Sequence, residues 1–337
     1  MTAHPKEHEN EQNDLSLRSH PDQGIRNGEI GGAIELWSSP EGLLSSDVHV
    51  TLDKNYPTIT GDPEKDGWIE DEALRSAYAK AASLTREKRS PFGDTNDPKV
   101  TIHRIQPEGD GGLALHGRLS RYFVLWGLPV AAEDVWKRGI RELKELLETD
   151  VTFGNSTHNM LLVRNSKTGE LMLTLMAVSA RHGFAAGKLT PTCEHQQHPD
   201  HHARPVDAVI AGFKKEFGLD IPETKIRLHG VAVETRSAYV CTIHIADMSD
   251  VMTEQDVINA WENKPSWRQG SSLLFVPVDQ LSQWKSEEIP ESVWSQAVLH
   301  SNSEEDALVQ GQSYKLHHTG PLRVSLLEDY LYQRKKI

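Results

Sequence analysis

The stretch "RPVDAVIAGFKKEFGLDIP", residues 204–222, decides how this chain is read. Val206, Val209, Ile210, Phe213 and Phe217 recur at helical spacing, so one stripe of a single helix faces a core. Pro205 sits near the start, where a missing backbone N–H costs nothing, and Gly218 supplies the stop. Asp207, Lys214, Lys215 and Glu216 form the polar edge. The helix is complete in its own terms, and its chemistry depends on the rest of the chain.

Upstream, "HNMLLVRN" (158–165) and "ELMLTLMAV" (170–178) read as a hairpin of mostly buried strands, followed by a loop over 179–203. Downstream, "IRLHGVAVE" (226–234), "AYVCTIHIA" (238–246) and "SLLFVPVDQL" (272–281) read as strands. "PESVWSQAVL" (290–299) and "PLRVSLLEDYLYQRKK" (321–336) read as helices. Nearer the N-terminus, "GAIELW" and "DVHVTL" suggest short strands, and "GWIEDEALRSAYAKAASL" (67–84) a helix. "KVTIHRI" and "GLALHG" form a strand pair, and "AAEDVWKRGIRELKELLE" (131–148) a helix with acids early and an outer charge ladder. Residues 1–30 are polar and nearly free of aromatics, the composition of a disordered tail. The expected organisation is that tail, an N-terminal α/β pre-domain over 31–130, and a second domain over 131–337.

The 337 residues carry 36 Lys+Arg against 49 Asp+Glu, a formal charge of −13, which argues against generic binding to nucleic-acid phosphates or anionic membranes. Two cysteines cannot build a disulfide framework, and no stretch is long and apolar enough to span a bilayer. The first residues lack an apolar segment behind their charges, so a cytoplasmic, soluble protein is the expectation. There is no Walker loop, no G-x-G-x-x-G after a strand, no G-x-S-x-G elbow and no H-E-x-x-H.

The order of hairpin, long loop, helix ending "EFGL", strand and "FVPVDQL" resembles the Nudix hydrolases, whose box G-x5-E-x7-R-E-U-x-E-E-x-G-U (U aliphatic) holds divalent metals against a diphosphate. Laid on this chain, Phe213, Glu216, Gly218 and Leu219 match the end of the box. The box arginine falls on Ala211, the next glutamate on Gly212, the second clustered glutamate on Lys215, the upstream glutamate on Ala203 and the first glycine on Gln197. The layout over about 65–335, with "RLSRYFVLWGLP" and "GKLTPTCEH", is similar to Nudix proteins related to UDP-sugar pyrophosphatases. The resemblance implies an α/β/α sandwich with a mixed sheet behind a small α/β N-terminal region. It implies Mg²⁺, Mn²⁺ or Zn²⁺ as the metal and Glu216 as the retained catalytic carboxylate. Magnesium takes several oxygens from carboxylates, and Glu216 alone supplies one. Lys215 sets a positive charge where the cation should sit, which disfavours a metal and attracts a phosphate.

"CEHQQHPDHH" is the most unusual composition in the chain. With Glu216, its Glu194, His195, His198, Asp200 and His201 are candidate metal ligands, since imidazole and carboxylate together suit a transition metal. A polar surface loop is the plainer reading. Arg181, His182, Lys188 and Lys215 are candidate ligand-binding residues around the same cleft, as are Arg118 and Arg121 beside Tyr122 and Phe123. "HHTGP" (317–321) reads as a turn before the last helix, and Trp261 and Trp267 as partner contacts or a packed loop.

Three functions compete. The first is a Nudix-fold binding module or sensor with a degenerate metal site, taking a nucleotide- or diphosphate-containing small molecule. The second is a divalent-metal hydrolase of a phosphoanhydride with a rebuilt site. The third is a protein-interaction subunit or homo-oligomer with a vestigial cleft.

Overall fold

The computed structural model describes residues 29–336 apart from 31, 54, 88–95, 110, 147, 179–187, 203, 264–269, 285, 287, 289, 291–292, 294–297 and 302–314. Its N-terminal strands are β1 (Glu29–Ile30), β2 (Ala33–Leu43), β3 (Val48–Leu52), β4 (Pro98–Pro107) and β5 (Leu113–Arg121). Helix α1 (Glu72–Glu87) lies between β3 and β4, and α2 (Tyr122–Ala131) and α3 (Glu133–Lys144) follow β5. The hairpin is β6 (Phe153–Arg164) and β7 (Leu171–Val178), followed by β8 (Leu189–Pro191), β9 (Cys193–Gln196) and helix α4 (Pro205–Phe217). Then come β10 (Ile226–Glu234), β11 (Tyr239–Asp247), α5 (Glu254–Glu262), β12 (Gly270–Pro277), β13 (Val298–Ser301) and α6 (Gly320–Arg334).

Among the described residues all thirteen strands belong to one mixed sheet, so those from 31–130 join those from 131–337: β2 pairs with β10 and β4 with β6. The long strand β6 is its centre. It runs parallel to β11 on one side and meets β4, β9 and β7 in turn on the other. Side chains alternate across a strand, and β6 shows what each face receives. Leu161 and Val163 pack under α4 and α5 with Phe213, Phe217 and Trp261. Met160 and Leu162 face the opposite way, toward Leu322 and Leu326 of α6. Helices α1–α3 close a third cluster over β2, β4 and β5. Helices thus cover both faces of a mixed sheet, the α/β/α arrangement expected from the sequence.

Several expectations are corrected. Arg118 and Arg121 lie on strand β5, and "YFVLWGLPVA" forms the helix α2, which ends soon after Pro129 removes a backbone donor. The loop over 179–203 contains two short strands, since β8 pairs with β7 and β9 with β6. The helix expected over 290–299 falls mostly outside the described residues, and its end belongs to strand β13. Trp261 is fully buried in α5 and is no partner contact, while Trp267 lies outside the described residues.

Candidate functional site

Helix α4 folds as its sequence reads. The Arg204 backbone N–H donates to the Asp207 carboxylate at 2.8 Å, and the Arg204 guanidinium spans Asp207 and Glu223 at 2.7–2.9 Å. Gly218 closes the helix in the left-handed conformation, φ +75°. Val206, Val209, Phe213 and Phe217 are buried, each phenylalanine contributing about 1.5–3 kcal/mol by leaving water.

The face a metal would need is different. Glu216 is buried, with its Oε1 3.9 Å from Lys215 Nζ. Gly212, which stands where the Nudix box carries a glutamate, lies against β9: a Cβ there would come within 3.1 Å of His195 Cβ. That position carries no carboxylate, and a side chain there would have to press β9 back by a few tenths of an ångström.

Around this end of α4 the positive groups converge. Lys215 and Lys99, the latter at the start of β4, both act electrostatically on His195, and Lys99 also acts on His198 and His202. Burial, and after it Lys215, His202 and Lys99, pushes the His195 imidazole down to about 3. His198 and His202 are lowered too, by burial first and then by their basic neighbours. Burial likewise lowers Lys99, with Asp97 opposing and Lys215 adding to the effect. Lys215 remains 39% exposed, so the corner opens to solvent.

The other expected site residues are dispersed. His198 and His201 stack at 4.7 Å, with Asp200 Oδ2 3.9 Å from His198 Nδ1 on the surface. Arg118 is buried with its guanidinium over the Tyr56 ring at 4.2 Å, and Arg121 donates to the Asn96 carbonyl at 3.3 Å. Lys188 precedes β8, its carbonyl accepting the Val178 N–H at 2.9 Å. Arg181 and His182 lie outside the described residues.

Glu194 leaves the group altogether. It points from β9 to the face away from His195, into a polar cluster beneath the start of α6. There the Arg323 guanidinium donates to Glu194 Oε1 and to His158 Nδ1, and to Thr190 Oγ1 at 2.9 Å and Thr319 Oγ1 at 3.0 Å. His317 Nδ1 lies 3.6 Å from Glu194 Oε1 and 3.8 Å from Glu234 Oε1, and His318 Nε2 lies 3.5 Å from Glu234 Oε2. Every member is buried except Glu194, which is about a quarter exposed. The sequence reading took His317 and His318 for a turn and did not single out His158, Glu234 or Arg323. Their one local signal is a polar residue on an otherwise apolar strand face, as where His158 precedes Met160 and Leu162.

Burial pushes His158 down to about 3, with Arg323 adding to the effect. Arg323 can only donate, so His158 Nδ1 accepts and the ring proton sits on Nε2, facing Ser156 Oγ at 3.0 Å and Glu234 Oε1 at 3.5 Å. Glu234 is held down to about 2 against its burial by the His318 hydrogen bond and the nearby imidazoles.

No family model and no curated protein sequence matches the chain. Among solved structures it is similar to a MutT/nudix family protein from Enterococcus faecalis at 10% identity and TM-score 0.31, covering 62% of this chain and 72% of that one. It is also similar to the NUDIX domain of Shewanella oneidensis NrtR, crystallised with ADP ribose, at 11% identity and TM-score 0.30, covering 53% and 88%. A third is RenU, a Nudix hydrolase from M. Smegmatis, at 15% identity and TM-score 0.27, covering 40% and 78%. At this level of likeness the residues themselves carry the functional argument.

Proposed function

We propose that the chain is a Nudix-like binding module that takes a nucleotide- or diphosphate-containing small molecule without hydrolysing it. The observation that carries this reading is Lys99 and Lys215 both acting on His195, with Lys99 acting also on His198 and His202, beside a helix on which Gly212 carries no carboxylate. Two ammonium groups neutralise phosphate oxygens, and neutral imidazoles donate hydrogen bonds to them. Lys99, disfavoured as a cation by its own burial, is favoured as one when an anion arrives.

The test is calorimetric titration of the untagged protein with nucleoside diphosphates and nucleotide sugars, with and without EDTA, followed by phosphate-release assays. Saturable binding that survives EDTA and yields no product is expected. Lys99→Ala and Lys215→Ala should each weaken it about 10–100-fold, the worth of a charged hydrogen bond. Turnover that Glu216→Gln abolishes would replace this reading with the hydrolase. The absence of any heat or melting shift would leave a scaffold for protein contacts.

A further inference from the structure

A cavity of about 280 Å³ opens where β10 begins, β11 ends and the last turns of α6 pass over them. Ile245 lines it and belongs to the apolar cluster under α6, so the cavity lies on the face of the sheet opposite α4. Ile245 and the Tyr330 ring supply its apolar surface, and that ring meets the His229 imidazole edge to face at 5.0 Å. Lys225 and Arg334 stand at its mouth, 32% and 37% exposed. Pockets for drug-sized ligands hold roughly 300–1,000 Å³, so this one suits a smaller molecule.

In a chain of formal charge −13, this lining sets three cations, Lys225, Arg227 and Arg334, against two carboxylates, Asp247 and Asp250, one positive charge in excess. Two of the cations are committed. Arg334 Nη1 and the Tyr330 hydroxyl each donate to Asp247 Oδ2 at 2.7 Å, and Lys225 Nζ pairs with Asp250. Asp247 Oδ1 is filled by the Ser249 backbone N–H at 3.1 Å and hydroxyl at 2.6 Å. Arg227 carries the excess. Its Nη1 donates to the Gly42 carbonyl at 3.3 Å, and among the described residues its Nε and Nη2 have no partner and no carboxylate lies within 4.0 Å. Its charge acts on both His229 and Tyr330. Gly42, at φ +71°, packs directly on its stem: a Cβ there would fall 2.8 Å from Arg227 Cβ.

We propose that this cavity binds a small organic monocarboxylate, its carboxylate paired with Arg227 Nε and Nη2 and its organic part against Ile245 and the Tyr330 ring. A planar carboxylate matches a planar guanidinium through two parallel hydrogen bonds. One negative charge balances the lining, whereas a phosphate dianion brings two charges against one and meets Asp247 and Asp250. Lys225 has ammonium protons beyond the one given to Asp250, enough to serve a ligand hydroxyl as well. The site faces away from α4 and is independent of the ligand corner proposed above.

The experiment titrates the untagged full chain with acetate, lactate, benzoate and inorganic phosphate, followed by calorimetry and by NMR of the guanidinium and aromatic signals. Lactate or benzoate is expected to bind saturably and more tightly than phosphate, with shifts concentrated at Arg227 and Tyr330. Arg227 is exposed, so its replacement leaves the core intact. Arg227→Gln should weaken binding about 10–100-fold, the worth of charged hydrogen bonds, and Arg227→Lys should recover only part of the loss. Lys137→Gln, an equal loss of charge on the exposed side of α3, should change nothing. Phosphate binding tighter than every carboxylate, shifts centred on His195 instead of Arg227, affinity that survives Arg227→Gln, or no saturation by any of the three carboxylates would each overturn the proposal. The wild-type titrations and spectra decide even if a variant fails to fold.

Discussion

Thr192 shows how much one residue can arrange. It lies between β8 and β9 at φ +63°, a conformation that a β-branched side chain adopts only under constraint. The constraint is visible: its Oγ1 accepts the Leu161 N–H at 2.8 Å and donates to the Thr174 carbonyl at 2.7 Å. These bonds let the chain step from β7 to β6 and aim Glu194 at Arg323. Thr192→Val keeps the shape and loses both bonds, leaving two buried backbone groups unpaired, so unfolding in denaturant should show a loss of about 2–4 kcal/mol. A loss below about 0.5 kcal/mol would mean the hydroxyl carries no such burden. His317 and His318 belong to this scale too. As residues they read as part of a turn, and nothing near them in the chain marks them as neighbours of Glu234 or of His158, a partner reached through Thr319 across 161 positions.

At the scale of elements, periodicity was legible wherever one helix face meets one core. The 67–84 pattern became α1, and the 204–222 pattern became α4 with its apolar stripe buried as read. Helix α2 was not legible, because its mean composition is apolar all round and its burial is decided by α1 rather than by a polar face. Gly127 is the contact point: a Cβ there would fall 2.2 Å from the Ala81 carbonyl oxygen. Gly127→Ala must push the two helices apart, and thermal or chemical unfolding should show about 1–3 kcal/mol lost despite alanine's better helix propensity. An unchanged or higher melting temperature would contradict this packing. Gly212 sets a milder version of the same constraint between α4 and β9, where a side chain would press on His195.

For the whole molecule, the deepest consequence of folding is the number of histidines it keeps neutral. His229 and His244 are fully buried, and burial pushes each down to about 3 from an ordinary 6.5. Between those values the unfolded chain holds protons that the folded chain refuses, so their contribution to stability is complete above about pH 6.5 and is lost as pH falls toward about 3. Each such histidine contributes about 1.4 kcal/mol per pH unit within the window. Denaturant midpoints should therefore fall steeply from pH 6.5 to 4, and His244→Leu should flatten that slope by close to one proton. An unchanged slope would show that His244 is not held neutral. The sequence by itself determined the amphipathic helix at 205–217, the central hairpin, the mixed α/β class and the poverty of carboxylates on α4, because each is written in spacing or composition within about twenty residues. The tertiary structure alone decided that Lys99 joins Lys215, that Glu194 and His195 part to opposite faces, and that Glu234 gathers three imidazoles. Those juxtapositions depend on strand pairing and on which face a side chain takes, and a one-residue change of register would reverse them.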